Sequence, residues 1–145
     1  MSIICDFRYP ASSVDVIEGL RQDLPYIRAV AGWSQTAMAE KLGLSTMTYS
    51  LLENTPHKMT AIQYYAICRV IEDEINVRHN GLLQDILNLL NSPTGVWYGI
   101  SRDEFIEAVR DIERQVGKKV GKVVVAKKIS EWIGSRNIVQ SFPAS

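Results

Sequence analysis

The sequence is poor in cysteine and histidine and has no long apolar run, and each shortage excludes a class of protein. Cys5 and Cys68 are its two thiols. They stand far apart, so neither a disulfide framework nor a metal knuckle is implied, and both read as reduced structural residues. His57 and His79 lack a set of ligating residues at metal spacing, so no metal site and no cofactor is expected. No stretch approaches the ~20 consecutive apolar residues of a membrane helix. The opening MSIICDFRYPASS lacks the basic segment and apolar core of a secretion signal. The cytoplasm is the expected compartment, with no membrane partner. No repeat or low-complexity segment occurs, and no cluster of nucleophile, base and orienting group can be assembled, so no enzyme is expected.

Net charge is also missing, since 16 Lys and Arg balance 16 Asp and Glu. The distribution is uneven. Residues 1–95 hold seven basic against ten acidic side chains, net −3, and residues 96–145 hold nine against six, net +3. A neutral chain has no strong general grip on polyanions. What is present, 145 residues of which 46% are apolar and 22% charged, suits one domain with a real core, or a small domain with an appendage.

The most informative stretch is WSQTAMAEKLGLSTMTYSLLEN, residues 33–54. Ser34 precedes an apolar-periodic run and can accept an orphan N–H as an N-cap. The first helix then runs from Gln35 to about Lys41, with Met38, Ala39 and Leu42 on one stripe. Gly43 supplies a left-handed residue that ends the helix, Leu44 plugs the turn, and Ser45 caps a second helix from Thr46 to about Glu53. Tyr49 and Leu52 face inward on it, whereas Thr46, Met47, Ser50 and Leu51 share the opposite side.

These residues resemble the helix-turn-helix of the lambda-repressor-like class, the Xre/Cro type of bacterial and phage regulators. The likeness rests on Gln35, Ala39, Gly43, the inward Tyr49 and Leu52, and Glu53-Asn54, and covers roughly residues 24–75. It implies an all-α fold: a five-helix lambda-repressor-like domain with a C-terminal helical extension. It also implies a DNA-binding transcriptional regulator, a homodimer whose partner is double-stranded DNA. Transferred by position, Thr46, Met47, Ser50 and Leu51 face base edges, and Gln35, Ser45, Asn54 and Lys58 hold phosphates. The resemblance also implies that Arg28 pairs with Glu53 as a structural ion pair. None of the four outward residues is Arg, Lys, Asn or Gln, the main direct readers of bases, so modest sequence specificity is expected. The competing reading is a protein-interaction adaptor that keeps this geometry without reading DNA, using Met47 and Leu51 as an apolar contact.

Three segments follow from this reading: an arm and leading helix (1–24), the helix-turn-helix domain (25–91) and a C-terminal helical region for oligomerisation or partner binding (92–145). Residues 2–9 suggest a short strand or packing arm. Ser13 caps a helix over Val14–Gln22, and Pro25 starts another that ends at Ala31. Thr60 caps Ala61–Ile75, with Ile62, Tyr65, Ala66, Cys68 or Arg69, and Ile71 or Glu72 in register. A break is expected around Asn76–Gly81, then a buried helix holding Leu82 to Leu90. Asn91–Gly95 reads as a linker. Ser101 caps a helix through Val116 with Phe105, Ile106, Val109, Ile112 and Val116 inward. A last helix carries Val123, Ala126, Ile129 and Ile133, its Val123–Val125 opening also compatible with a strand, and a frayed tail begins at Ser135. Lys118, Lys119, Lys122, Lys127 and Lys128 form a basic run that is either a solvated face or an auxiliary contact for phosphates.

Overall fold

A computed structural model describes residues 13–91, 96–117 and 120–141. The chain is mostly helical, with seven helices and one two-stranded ribbon among the described residues. The arm at residues 2–9 and most of the linker lie outside them.

Helix α1 (Ser13–Ala31) is continuous, with Pro25 inside it, rather than two helices meeting at the proline. Leu20, Leu24 and Ile27 straddle Pro25 and are fully buried. Burial is worth roughly 2 kcal/mol per such side chain, so packing on both sides outweighs the ~3 kcal/mol cost of an internal proline. A boundary between residues 24 and 25 therefore cuts a helix. Helices α2 (Gln35–Leu42) and α3 (Thr46–Asn54) follow as a short pair.

Helix α4 (Ala61–Asn76) begins with a reciprocal capping box, the Thr60 hydroxyl accepting from the Gln63 amide and the Gln63 side chain accepting from the Thr60 amide. Its inward stripe differs from expectation. Tyr64, Ile67, Cys68, Ile71 and Ile75 are buried, whereas Ile62 and Tyr65 are exposed. Two stripes compete on this helix, and the one with three isoleucines spans its whole length and takes the core. A turn with His79 in the left-handed region then leads to α5 (Gly81–Asn91), where the Asn80 side chain accepts the Leu83 amide. Leu83, Ile86, Leu87, Leu89 and Leu90 are buried within this chain, with no second copy needed to cover them.

Strands β1 (Val96–Trp97) and β2 (Ile100–Ser101) pair antiparallel, Val96 opposite Ser101 and Trp97 opposite Ile100. Tyr98 and Gly99, with φ of 48° and 78°, make the mirror-image turn that suits a twisted hairpin. This ribbon is absent from the sequence reading. Ser101 also caps α6 (Arg102–Val116), whose first turn carries Asp103 and Glu104 and whose last carries Arg114, matching the helix dipole. Phe105, Val109 and Ile112 are buried, with Ile106 and Val116 packed beside them.

Helix α7 (Lys122–Ser141) is helical from its first valines and continues past Ser135, so neither a strand opening nor a tail fraying from that residue is seen. It buries Val125, Ile129 and Ile133 and leaves Val123 exposed. It lies along α1 and α6. Gly32, just beyond α1, has φ of 81°, and a Cβ there would stand 3.5 Å from the Val123 Cα and the Ala126 Cβ. The last two helices thus join the same hydrophobic core as α1 to α5, instead of forming a separate appendage. Among the described residues, no helix is long and apolar enough to cross a membrane.

Candidate functional site

The α2–α3 pair is set by its caps. Ser34 accepts the Ala37 amide at 3.0 Å. Gly43, at φ 72° and ψ 27°, closes α2 while its amide and that of Leu44 return to the Glu40 and Ala39 carbonyls at 3.2 and 2.9 Å. That double closure leaves few carbonyls unsatisfied and turns the chain within two residues. Ser45 accepts the Thr48 amide at 3.1 Å and donates to the Thr48 hydroxyl at 2.8 Å. The Thr46 hydroxyl donates to that of Thr36 at 3.2 Å, tying the starts of the two helices together.

Below α3 lies a buried polar network. Arg28 donates through Nε and Nη2 to the two Glu53 carboxylate oxygens, both at 2.8 Å, and through Nη1 to the Trp33 carbonyl at 3.2 Å. Tyr49 donates its hydroxyl to Glu53 at 2.6 Å, and the Gln35 amide donates to Glu53 at 3.3 Å. Arg21 holds the Glu53 carbonyl at 2.8 Å. Burial by itself raises the Glu53 pKa, but the Arg28 hydrogen bonds and charge outweigh it and hold the carboxyl below its ordinary value. Burial and the Glu53 charge push the Tyr49 phenol up, so it remains a donor. Glu18 fastens the next loop to α1 by accepting from Arg21 and from the His57 amide, each at 3.0 Å.

The other side of α3 is open. Thr46 is exposed, Met47 is 76% exposed and Leu51 47%, while Ser50 is half-buried. The Asn54 side chain donates back to the Ser50 carbonyl and hydroxyl at 2.9 and 3.2 Å, so its amide hydrogens point into the helix. Gln35 is half-buried with its amide turned to Glu53, leaving the start of α2 to present backbone N–H groups rather than that side chain. Ser45 and Lys58 are exposed.

Beside these helix starts is a cavity of about 940 Å³, and Ser34, Thr36 and Thr46 form one wall. Arg110, Arg114 and Lys122, from α6 and the start of α7, form another. Arg110 and Arg114 are not among the expected site residues, because their one-turn spacing on α6 is local but their approach to α2 is a long-range contact. Lys122 pairs with Glu113, and Arg114 with Asp111. The described lysines of the basic run do not share one cavity. Lys122 lines this cavity, Lys127 is exposed, and Lys128 lines a different groove of about 710 Å³, rich in Asp and Glu, between α6 and α7. Lys118 and Lys119 lie outside the described residues. Compared with protein families, with curated proteins and with solved structures, the chain matches none.

Proposed function

We propose that the chain is a transcriptional regulator of the lambda-repressor-like, Xre/Cro type, which binds double-stranded DNA as a homodimer with α3 in the major groove. The observation that carries this reading is the division of α3. Its inner side is fixed by Tyr49, Leu52 and the Glu53 network, and its outer side leaves Thr46, Met47 and Leu51 in solvent. A short helix anchored so firmly on one side, with its N-terminal half open, suits insertion into a groove. The cations beside Thr46 favour an approaching phosphate backbone. Thr46 and Ser50 supply the hydroxyls, Met47 and Leu51 meet thymine methyl groups, and Ser45, Lys58 and the N-terminus of α2 contact phosphates. Asn54 and the Gln35 side chain reach phosphates only by leaving their internal partners.

One observation favours an adaptor that binds protein instead. Two of the four outward residues are apolar, and none is a strong reader of bases. Selection of genomic fragments by the purified protein at low salt separates the two. The expected result is an enriched palindrome with half-sites about one helical turn, ~10 base pairs, apart. A Thr46→Ala/Ser50→Ala variant should then bind it about tenfold more weakly, the scale of two lost hydroxyl contacts. Recovery of no enriched sequence would give the face to a protein partner.

A further inference from the structure

The open cavity beside α2 has a volume of about 940 Å³, within the range of small-molecule sites. Cations predominate in its lining, where Arg110, Arg114 and Lys122 stand with one carboxylate, Glu113, which pairs with Lys122. Arg110 donates to the Tyr26 hydroxyl at 2.9 Å and lies over that ring, and among the described residues it meets no carboxylate. Arg114, one turn away, shares its charge with Asp111 at an exposed position. Facing them are the Thr36 and Thr46 hydroxyls, which among the described residues bond only each other, and an apolar portion formed by Val120 and Val125. Uncompensated guanidinium, paired hydroxyls and an apolar portion together suit a ligand with an anionic end and a partly apolar body.

We infer that this cavity binds a small organic anion, a phosphate or carboxylate on a nucleotide-sized body, held between Arg110 with Arg114 and the Thr36–Thr46 pair. Thr46 belongs both to the cavity and to the outer side of α3. On the DNA-binding reading, on which this second step rests, an occupied cavity changes the DNA affinity of α3.

The test uses adenosine 5′-monophosphate, inorganic phosphate and adenosine, followed through the amide resonances of Thr36 and Thr46. The monophosphate is expected to shift both saturably, inorganic phosphate more weakly, and adenosine not at all. An Arg110→Gln/Arg114→Gln variant should bind the monophosphate at least about tenfold more weakly, the scale of one lost charge-assisted hydrogen bond. Lys127→Gln should leave binding unchanged. Arg114→Gln alone, at an exposed side chain, keeps the fold and should show part of the loss. No saturable shift with either phosphate up to about 10 mM, or shifts that persist in the double variant, would overturn the inference. Failure here is separable from failure of the DNA reading. Monophosphate binding without any DNA binding upholds the cavity alone. DNA binding whose salt slope falls by about 2 in the double variant, with no monophosphate binding, assigns the arginines to duplex phosphates and overturns the ligand site.

Discussion

Arg28 meets Glu53 with side chains 6% and 3% exposed, whereas Arg114 meets Asp111 with side chains 72% and 48% exposed. The functional groups are alike and the surroundings opposite. Around the first pair, Tyr49 and Gln35 donate to the carboxylate, the Trp33 carbonyl accepts from Arg28, and both charged side chains are buried. Around the second, solvent and salt screen the charges. The pairs Lys122–Glu113 and Arg136–Glu104 fall between these extremes. The difference shows that α3 is fixed by a buried polar network together with the core residues Tyr49 and Leu52. The α6–α7 hairpin is held by Phe105, Val109, Ile129 and Ile133, with its ion pairs as minor additions.

The contrast can be broken most sharply at Glu53. Glu53→Ala leaves the Arg28 charge buried without its carboxylate and should cost about 3–5 kcal/mol in urea unfolding. Adding Arg28→Met to Glu53→Leu should return most of that loss, because the uncompensated charge and not the missing attraction dominates it. Acid offers a second route. The Glu53 carboxyl sits below its ordinary value in the fold, so its contribution is complete above about pH 4.3 and is lost as pH falls through the folded value. Urea midpoints measured between about pH 6 and pH 2 should show this acid loss in the parent chain and a weaker one in Glu53→Gln. Tyr49→Phe removes one hydrogen bond to the carboxylate while Arg28 remains, and should cost about 1.5 kcal/mol in the same assay. At the other end, Arg114→Ala should change thermal stability by less than about 0.5 kcal/mol. A comparable loss at Arg114 and Glu53 would erase the distinction.

The parts legible in the sequence are those with local causes. Ser34, Gly43 and Ser45 act within a few residues of themselves, so the α2–α3 pair and its outward residues follow from spacing. Ser101 and the Phe105, Val109, Ile112 stripe mark α6 in the same way. Misreadings arise where tertiary packing chooses between local options. Pro25 signals a boundary, yet the buried residues on both sides carry α1 through it. On α4 both stripes have helical period, and only contact with the core separates Tyr64 and Ile67 from Ile62 and Tyr65. Val123 to Val125 favour a strand by propensity, but α1 and α6 present surfaces that a helix covers. At the candidate site, the exposure of Met47 and Leu51 follows from periodicity, while the turning of Gln35 and Asn54 onto internal partners does not. The spacing of Arg110 and Arg114 on α6 is local, but the approach of that helix to α2 is a matter of topology and leaves no local signal.

The near contact of Gly32 with Val123 and Ala126 joins positions some ninety residues apart. During translation the short α2–α3 pair is fully synthesised long before the helix that covers the flank of α1. A ribosome halted after α5 would carry a chain with that apolar flank uncovered, the kind of surface on which chaperones act.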